Sequence, residues 1–424
     1  MSVGTNFVTC YTIWIWLNIF ATHDVINRYA RVVNGKSKFG HWYYPKTAEE
    51  HTTAFGLLVI PRVAETTRHV LVVVLLSTLL FGAIAASDSL IFSLTFATSA
   101  MVSMLYFAQA RTHGLVHNKA DLVPVVLLLL AISSSSTTMC GNIRFLMGTV
   151  YFSSGIMKLR KTGIRWCQGI NLKRMILQFM LELRQEKPNL LQTFLLKYNC
   201  LAMLSQIGVL SFELLFIVVV VYNNSMLLFV FGIFGIGFHL ITIYMTQIDF
   251  IRFWVPGLFS ALLPWCSGVR HTTIQQEIDV YVCIAVAGIF LIAHLREHDG
   301  THWPISCFDL YNVYHSEDTK KYRVLNLLYT EGTNRNGIEQ ERPFDLSICS
   351  SSGITRSWGF TSIKMKDPEK LMYLKEFLCH VVREECGRGH PYVGVKEKIM
   401  VLTLMENGTV QVKYEDEECM IVRW

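Results

Sequence analysis

The feature that most constrains this chain is a series of apolar runs long enough to cross a hydrocarbon core about 30 Å thick. Read along the sequence, they cover 7–22, 70–86, 90–108, 122–133, 143–157, 200–222, 226–245, 251–265 and 280–293. A soluble domain scatters its apolar residues at helix or strand period instead. Over the 424 residues, 52% are hydrophobic and 17% charged, where a soluble protein carries nearer a quarter charged. The expectation is an all-α polytopic membrane bundle of eight or nine transmembrane helices, followed by a small C-terminal α+β appendage. The boundary falls near Gly300, with a membrane domain over 1–300 and an appendage over 301–424. Several runs fall short of the usual ~20 residues and are expected to tilt or to extend through polar flanks.

Charge and cysteine usage narrow the class further. The formal charge is +6, split into roughly −2 after Gly300 and about +8 before it. That excess suits lipid headgroups; no nucleic-acid surface is expected. The 11 cysteines show no paired spacing and read as small apolar residues, not as a disulfide frame. The first apolar run lacks a basic leader and a small-residue cleavage site, so it is expected to stay as an anchor. Lys and Arg gather in alternate loops: Arg28 to Lys38, Arg111 and Lys119, and Lys158 to Lys187. The positive-inside rule then places these loops and the tail in the cytoplasm.

Between the fifth and sixth runs, Asn171 reads as an N-cap, with Leu172, Met175, Ile176, Phe179, Met180 and Leu183 on one face. Lys173 and Arg174 lie elsewhere on the wheel. This is an amphipathic helix, either lying in the membrane interface or packed on the bundle. In the tail, Asp367-Pro368-Glu369 opens a helix that stops at Gly387. Two alternating runs, 401–404 and 410–414, flank Glu406-Asn407-Gly408 and predict a hairpin.

Ionisable residues at membrane depth are costly and so point to function. Glu213 sits in the sixth run, His239 in the seventh after the small-residue stretch 232–237, and Lys158 closes the fifth. Asp249 and Arg252 are spaced to pair on one helical face. The structural alternatives are a buried polar group fixing helix contacts, a lysine reaching up to the headgroups, and glycines that simply let helices approach. His294-Leu295-Arg296-Glu297-His298 matches the H-x-x-E-H pattern of some zinc proteases. It begins where a helix leaves the membrane and no third ligand helix follows, so no metal is expected. Asn407-Gly408-Thr409 is a glycosylation sequon, but a tight turn explains Asn-Gly without a glycan.

The run Tyr151-Phe152-Ser153-Ser154-Gly155-Ile156-Met157-Lys158-Leu159, followed by Trp166 and Gly169, resembles a signature of the vitamin K-dependent γ-glutamyl carboxylases. The same run is similar to one in their wider relatives, the HTTM (horizontally transferred transmembrane) domain proteins. His117-Asn118 stands where the carboxylases carry Asn-His, with the order reversed. His239 before Asp249-Phe250 and Phe253, and Trp303-Pro304 before Phe308-Asp309-Leu310-Tyr311, resemble further family motifs. The similarity covers roughly residues 1 to 320, and the tail is shorter than the luminal domain of the carboxylases.

The resemblance implies lyase-type carboxylation with a reduced vitamin K or related quinol as cofactor and a peptide glutamate as substrate. It makes Lys158 the base, with His117 and His239 as catalytic partners, and Asn118, Glu213 and Trp166 on the substrate side. A lysine acts as a base only as the neutral amine, and the apolar neighbours Phe152, Ile156 and Leu159 would penalise the ammonium. The competing expectation is a non-catalytic membrane scaffold for lipid binding, transport or partner assembly.

Overall fold

The computed structural model of the chain describes residues 3–34, 53–54, 58–59, 65–84, 90–112, 122–133, 136–182, 185–246, 251, 254–266, 281–282, 284–285, 287–289, 317–330, 339–343, 392–415 and 420–423. Its helices are α1 Val3–Asn34, α2 Glu65–Ile84, α3 Leu90–Thr112, α4 Leu122–Ile132, α5 Ser136–Thr162, α6 Gly169–Glu182, α7 Leu190–Lys197, α8 Asn199–Tyr222, α9 Ser225–Thr246 and α10 Val255–Cys266. A tight 3-10 turn, Gly163–Cys167, links α5 to α6. The strands are β1 Thr53–Ala54, β2 Leu58–Val59, β3 Thr319–Thr330, β4 Glu339–Pro343, β5 Tyr392–Leu404, β6 Val410–Glu415 and β7 Met420–Arg423.

Four helical segments are long and apolar enough to cross a membrane: Thr66–Ile84, Leu90–Ala108, Asn199–Tyr222 and Ser225–Thr246. Shorter apolar segments are Phe7–Ala21 and Leu122–Ile132. Their outer faces are apolar and uncovered: Val70 is 60% exposed, Val73 61% and Ile84 75%. Water would penalise such a surface, whereas lipid accepts it, so the chain is a membrane protein.

Lipid tails are as apolar as leucine, so helices in this setting are joined by close packing and hydrogen bonds more than by the hydrophobic effect. Both devices are present. Trp16 Nε1 donates to Leu76 O at 3.0 Å and Thr9 Oγ1 to Ala83 O at 3.2 Å, which runs α1 antiparallel to α2. Ser99 Oγ donates to Thr78 Oγ1 at 2.8 Å between α2 and α3. Farther along the same three helices, His23 bonds Tyr106 Oη at 2.9 Å and His69 at 3.1 Å. Added methyl groups at Gly232 and Gly235 would meet Leu262 and Leu258 of α10, so the small-residue stretch serves close helix approach, as one of its readings held. Asn223, in the left-handed conformation at φ 53°, ends α8, and Asn224 Oδ1 accepts from Met226 N and Leu227 N to start α9.

The segment after α5 differs from the expected helix in two ways. The helix starts at Gly169 and not after Asn171, whose amide instead donates to Trp166 O at 3.3 Å. Lys173, expected off the apolar face, is 8% exposed. The physical reason is that α6 has partners on more than one side, touching α8 and α9 of the bundle as well as β3 and β5 of the sheet. Asn189 caps α7 through a capping box with Gln192, and Gln192 Nε2 reaches Met245 O at 2.9 Å to fasten α7 to the end of α9.

The C-terminal sheet is antiparallel with order β4-β3-β5-β6, while β7 pairs with the other half of β5. The hairpin is observed as expected: Leu402 pairs with Val412, Met405 N donates to Thr409 O, and Gly408 takes φ +78° in the turn. Met400 and Leu402 of β5 pack with Ile176, Leu177, Met180, Leu195 and Leu196, so the sheet is seated on α6 and α7. Arg174 Nε donates to Asp318 Oδ1 at 2.7 Å at the rim of this contact, and Tyr414 Oη to Glu186 Oε1 at 2.8 Å. The helix predicted from Asp367 lies outside the described residues, as do the Asp249–Arg252 pair and the H-x-x-E-H segment.

The Arg174 hydrogen bond holds the Asp318 carboxyl below its ordinary range. A lowered folded value means the contribution is complete above the unfolded value near pH 4 and is lost as pH falls through the folded one. Half of Asp318 is exposed, so Asp318→Asn is expected to cost about 0.5 kcal/mol or less. Thermal melts in detergent at pH 7 should show a small difference that shrinks with added salt and vanishes at acid pH.

Candidate functional site

The signature run folds as the C-terminal half of α5, where Tyr151, Ser154 and Lys158 follow helical spacing and share one face. α8 runs antiparallel beside it: methyl groups at Gly148 and Gly155 would meet Ile217 and Leu214 respectively. The two glycines let the backbones approach, and Glu213 of α8 therefore reaches Lys158. Lys158 Nζ donates to Glu213 Oε1 at 2.5 Å and to Ser154 Oγ at 2.9 Å, and Ser154 Oγ donates to Glu213 Oε1 at 3.2 Å. Lys158 is 2% exposed and Glu213 3%. The lysine turns inward and does not reach the headgroups.

Lys158 is buried, but two of the three residues expected to bury it face outward. Phe152 and Ile156 are each 39% exposed on the outward side of α5. At about 100° per residue Phe152, six positions back, and Ile156, two back, fall on other faces than Lys158, so nearness in sequence does not make them its neighbours in space. What encloses the amine is Glu213, Ser154 and the indole of Trp166, whose ring centre lies 5.2 Å from Nζ. Trp166 is buried and is brought back toward Lys158 by the 3-10 turn, which starts at Gly163 with φ +61°. A left-handed residue there reverses the chain without a Cβ penalty.

A second polar pair lies on the same face of α5, seven residues and about 10 Å from Lys158. Tyr151 Oη bonds His239 Nε2 of α9 at 2.6 Å, and both residues are buried. Phe212 and Trp254 wall the pair, with ring centres 4.8 and 5.8 Å from that of Tyr151. His239 is thus not a direct partner of Lys158; it is paired with Tyr151 on the same face of α5.

Of the residues singled out from the sequence, the structure brings Lys158, Glu213 and Trp166 into one buried cluster and places His239 beside it. His117 and Asn118 lie outside the described residues. Ser154 and Tyr151 stand inside the quoted signature without having been assigned a role, although their spacing from Lys158 marks them. One atom of the cluster stands out chemically. Glu213 Oε2 is buried and has no hydrogen-bond partner among the described residues. A carboxylate oxygen left so is an acceptor waiting for a donor.

The Lys158–Glu213 pair is net neutral whichever group holds the shared proton, and one further proton makes it cationic. The cluster thus combines an ion pair, an unpartnered acceptor at Oε2 and the Trp166 indole. Among the described residues, no group of three His, Cys, Asp or Glu side chains is placed to hold a metal ion. Comparison of the chain with protein families, with curated proteins and with solved structures gives no match.

Proposed function

We propose that this chain is a carboxylase-like membrane enzyme in which the Lys158–Glu213 pair takes a proton from a lipid-soluble quinol. The observation that carries the reading is the convergence of Lys158, Glu213, Ser154 and Trp166 in one buried cluster with a free carboxylate acceptor at Oε2. These residues fit a phenolic group: Oε2 accepts its O–H, and the Trp166 face supports a flat ring. When bound, a quinol supplies the oxygen-dependent base strength by which a peptide glutamate loses its γ-proton and carbon dioxide adds. The chain's own part is to hold the hydroxyl at Glu213 Oε2, receive its proton into the pair, and exclude water. In the same reading the bundle has the eight or nine crossings of an HTTM fold, with α1, α4, α5 and α10 joining the four long apolar helices and the apolar run of sequence at 280–293 supplying the ninth. Purified wild type in detergent is expected to incorporate labelled carbon dioxide into Glu-containing peptides in a quinol-dependent way. Lys158→Ala should abolish it, a loss of at least 100-fold for removal of a proton acceptor. Incorporation that survives the substitution would remove Lys158 from the chemistry.

A non-catalytic scaffold is the second reading, and the ion pair itself favours it, since Lys158 already has two protein partners and can join α5 to α8 without any ligand. Well-folded wild type that incorporates nothing with several quinols and peptides would select it.

A further inference from the structure

We infer that Gln206 is a second polar anchor for the ligand held at Glu213, so that the site selects a flat ligand with an oxygen at each end. This rests on the proposed function and adds a specificity-determining residue to it. Gln206 lies within α8, is 2% exposed, and neither its Nε2 nor its Oε1 has a hydrogen-bond partner among the described residues. A buried amide with nothing to bond is costly in any protein and more so inside a bilayer. Glu213 Oε2 is in the same condition. The two are seven residues apart, which on a helix means one face and about 10 Å.

That face is defined by its neighbours at either end. Asn199, seven residues before Gln206, lies against Gly169 at the start of α6, and Glu213 lies against α5. Gln206 therefore stands on the line between them, along the side that α8 turns toward α5, the 3-10 turn and α6. Leu210 lies between the two orphaned polar groups on this face and is buried. Two polar ends about 10 Å apart with leucine between them suit a ligand of one or two fused rings carrying oxygens at opposite positions. As a carboxylate, Glu213 only accepts, so the oxygen it binds is a hydroxyl. Gln206 both donates and accepts, so it serves a hydroxyl or a carbonyl at the far end. An extended acyl chain or a ligand with one polar end would leave Gln206 unsatisfied.

The test is anaerobic equilibrium dialysis of the full chain in detergent with two probes, 1,4-dihydroxynaphthalene and 1-naphthol, which differ by one hydroxyl. Wild type is expected to bind the diol about tenfold more tightly, as one additional hydrogen bond provides. Gln206→Leu is expected to lose that preference while binding 1-naphthol as wild type does and keeping its melting temperature. An undiminished preference in Gln206→Leu, the behaviour of a glutamine satisfied by buried water, would overturn the inference. So would equal binding of the two probes by wild type, which leaves the proton-accepting role of Lys158 and Glu213 standing. Wild type that binds neither probe overturns both readings. If Gln206→Leu does not fold, Gln206→Met takes its place, and failure of both variants to fold would assign the residue to packing and overturn the inference.

Discussion

Glu213→Leu is expected to destabilise the bundle by about 3 to 5 kcal/mol, because it strands the Lys158 amine in a site that is almost fully enclosed. The double variant Lys158→Met with Glu213→Leu should recover most of that loss. It removes both polar groups together and puts apolar side chains of similar size between α5 and α8. Buried ion pairs commonly behave this way, since desolvation offsets most of their attraction while breaking one half leaves the other uncompensated. Thermal melting in detergent, with size-exclusion profiles to score aggregation, would compare both variants with wild type. A double variant as unstable as the single one would mean that Ser154 and Trp166 depend on the pair for their own positions. Stability and the proposed carboxylation are expected to part company here: the double variant should fold and incorporate no carbon dioxide.

The second large effect is expected at Gly169. A Cβ there would lie 2.5 Å from the backbone oxygen of Asn199 and 2.6 Å from its side-chain oxygen, and a backbone oxygen cannot move aside as a flexible side chain does. Gly169→Val should cost about 3 kcal/mol, at the upper end of overpacking. Gly237→Ala, where a Cβ meets nothing within 4 Å, is the matched control. It should be neutral or slightly stabilising, because alanine favours helix. Gly169 is three residues beyond Trp166, so the strain would also pull the indole from Lys158. Protein that remains folded should therefore bind an aromatic probe more weakly. Equal melting temperatures for the two glycine variants would show that α6 can shift on α8 without cost.

Much of this was legible in the sequence because lipid makes the signal simple. Apolar runs at 70–86, 90–108, 200–222 and 226–245 coincide with long apolar helices, and Glu213 and His239 stood out as ionisable residues inside such runs. The hairpin was legible from Asn407-Gly408, since few residues accept the turn's left-handed conformation. The partner of Lys158 was not legible. It lies 55 residues away, and which helix meets which is decided by packing at Gly148 and Gly155, not by local pattern. The environment of Lys158 was misread for a related reason: Phe152 and Ile156 are near it in sequence but lie on the exposed, outward side of α5. Gln206 carried a usable sign, its seven-residue step from Glu213, yet a glutamine in an apolar run reads as incidental until its burial is known. The burial of Lys173 follows from α6 having partners on more than one side, among them a sheet formed more than 140 residues later, which no local reading of α6 contains.

The seating of the C-terminal sheet on α6 and α7 has a consequence for sidedness. α5 ends four residues after Lys158, and α6, which the sheet grips, begins just beyond the turn. The Lys158–Glu213 cluster therefore lies toward the end of the bundle on which the sheet and its hairpin tip at Asn407 are seated. A reporter on the C-terminus, or sugar addition at the Asn407 sequon, would thus name the aqueous phase whose acidity and peptides this end of the bundle meets. The tail is in that sense the compass of the molecule: whichever way it faces, the Lys158 end of the bundle faces with it.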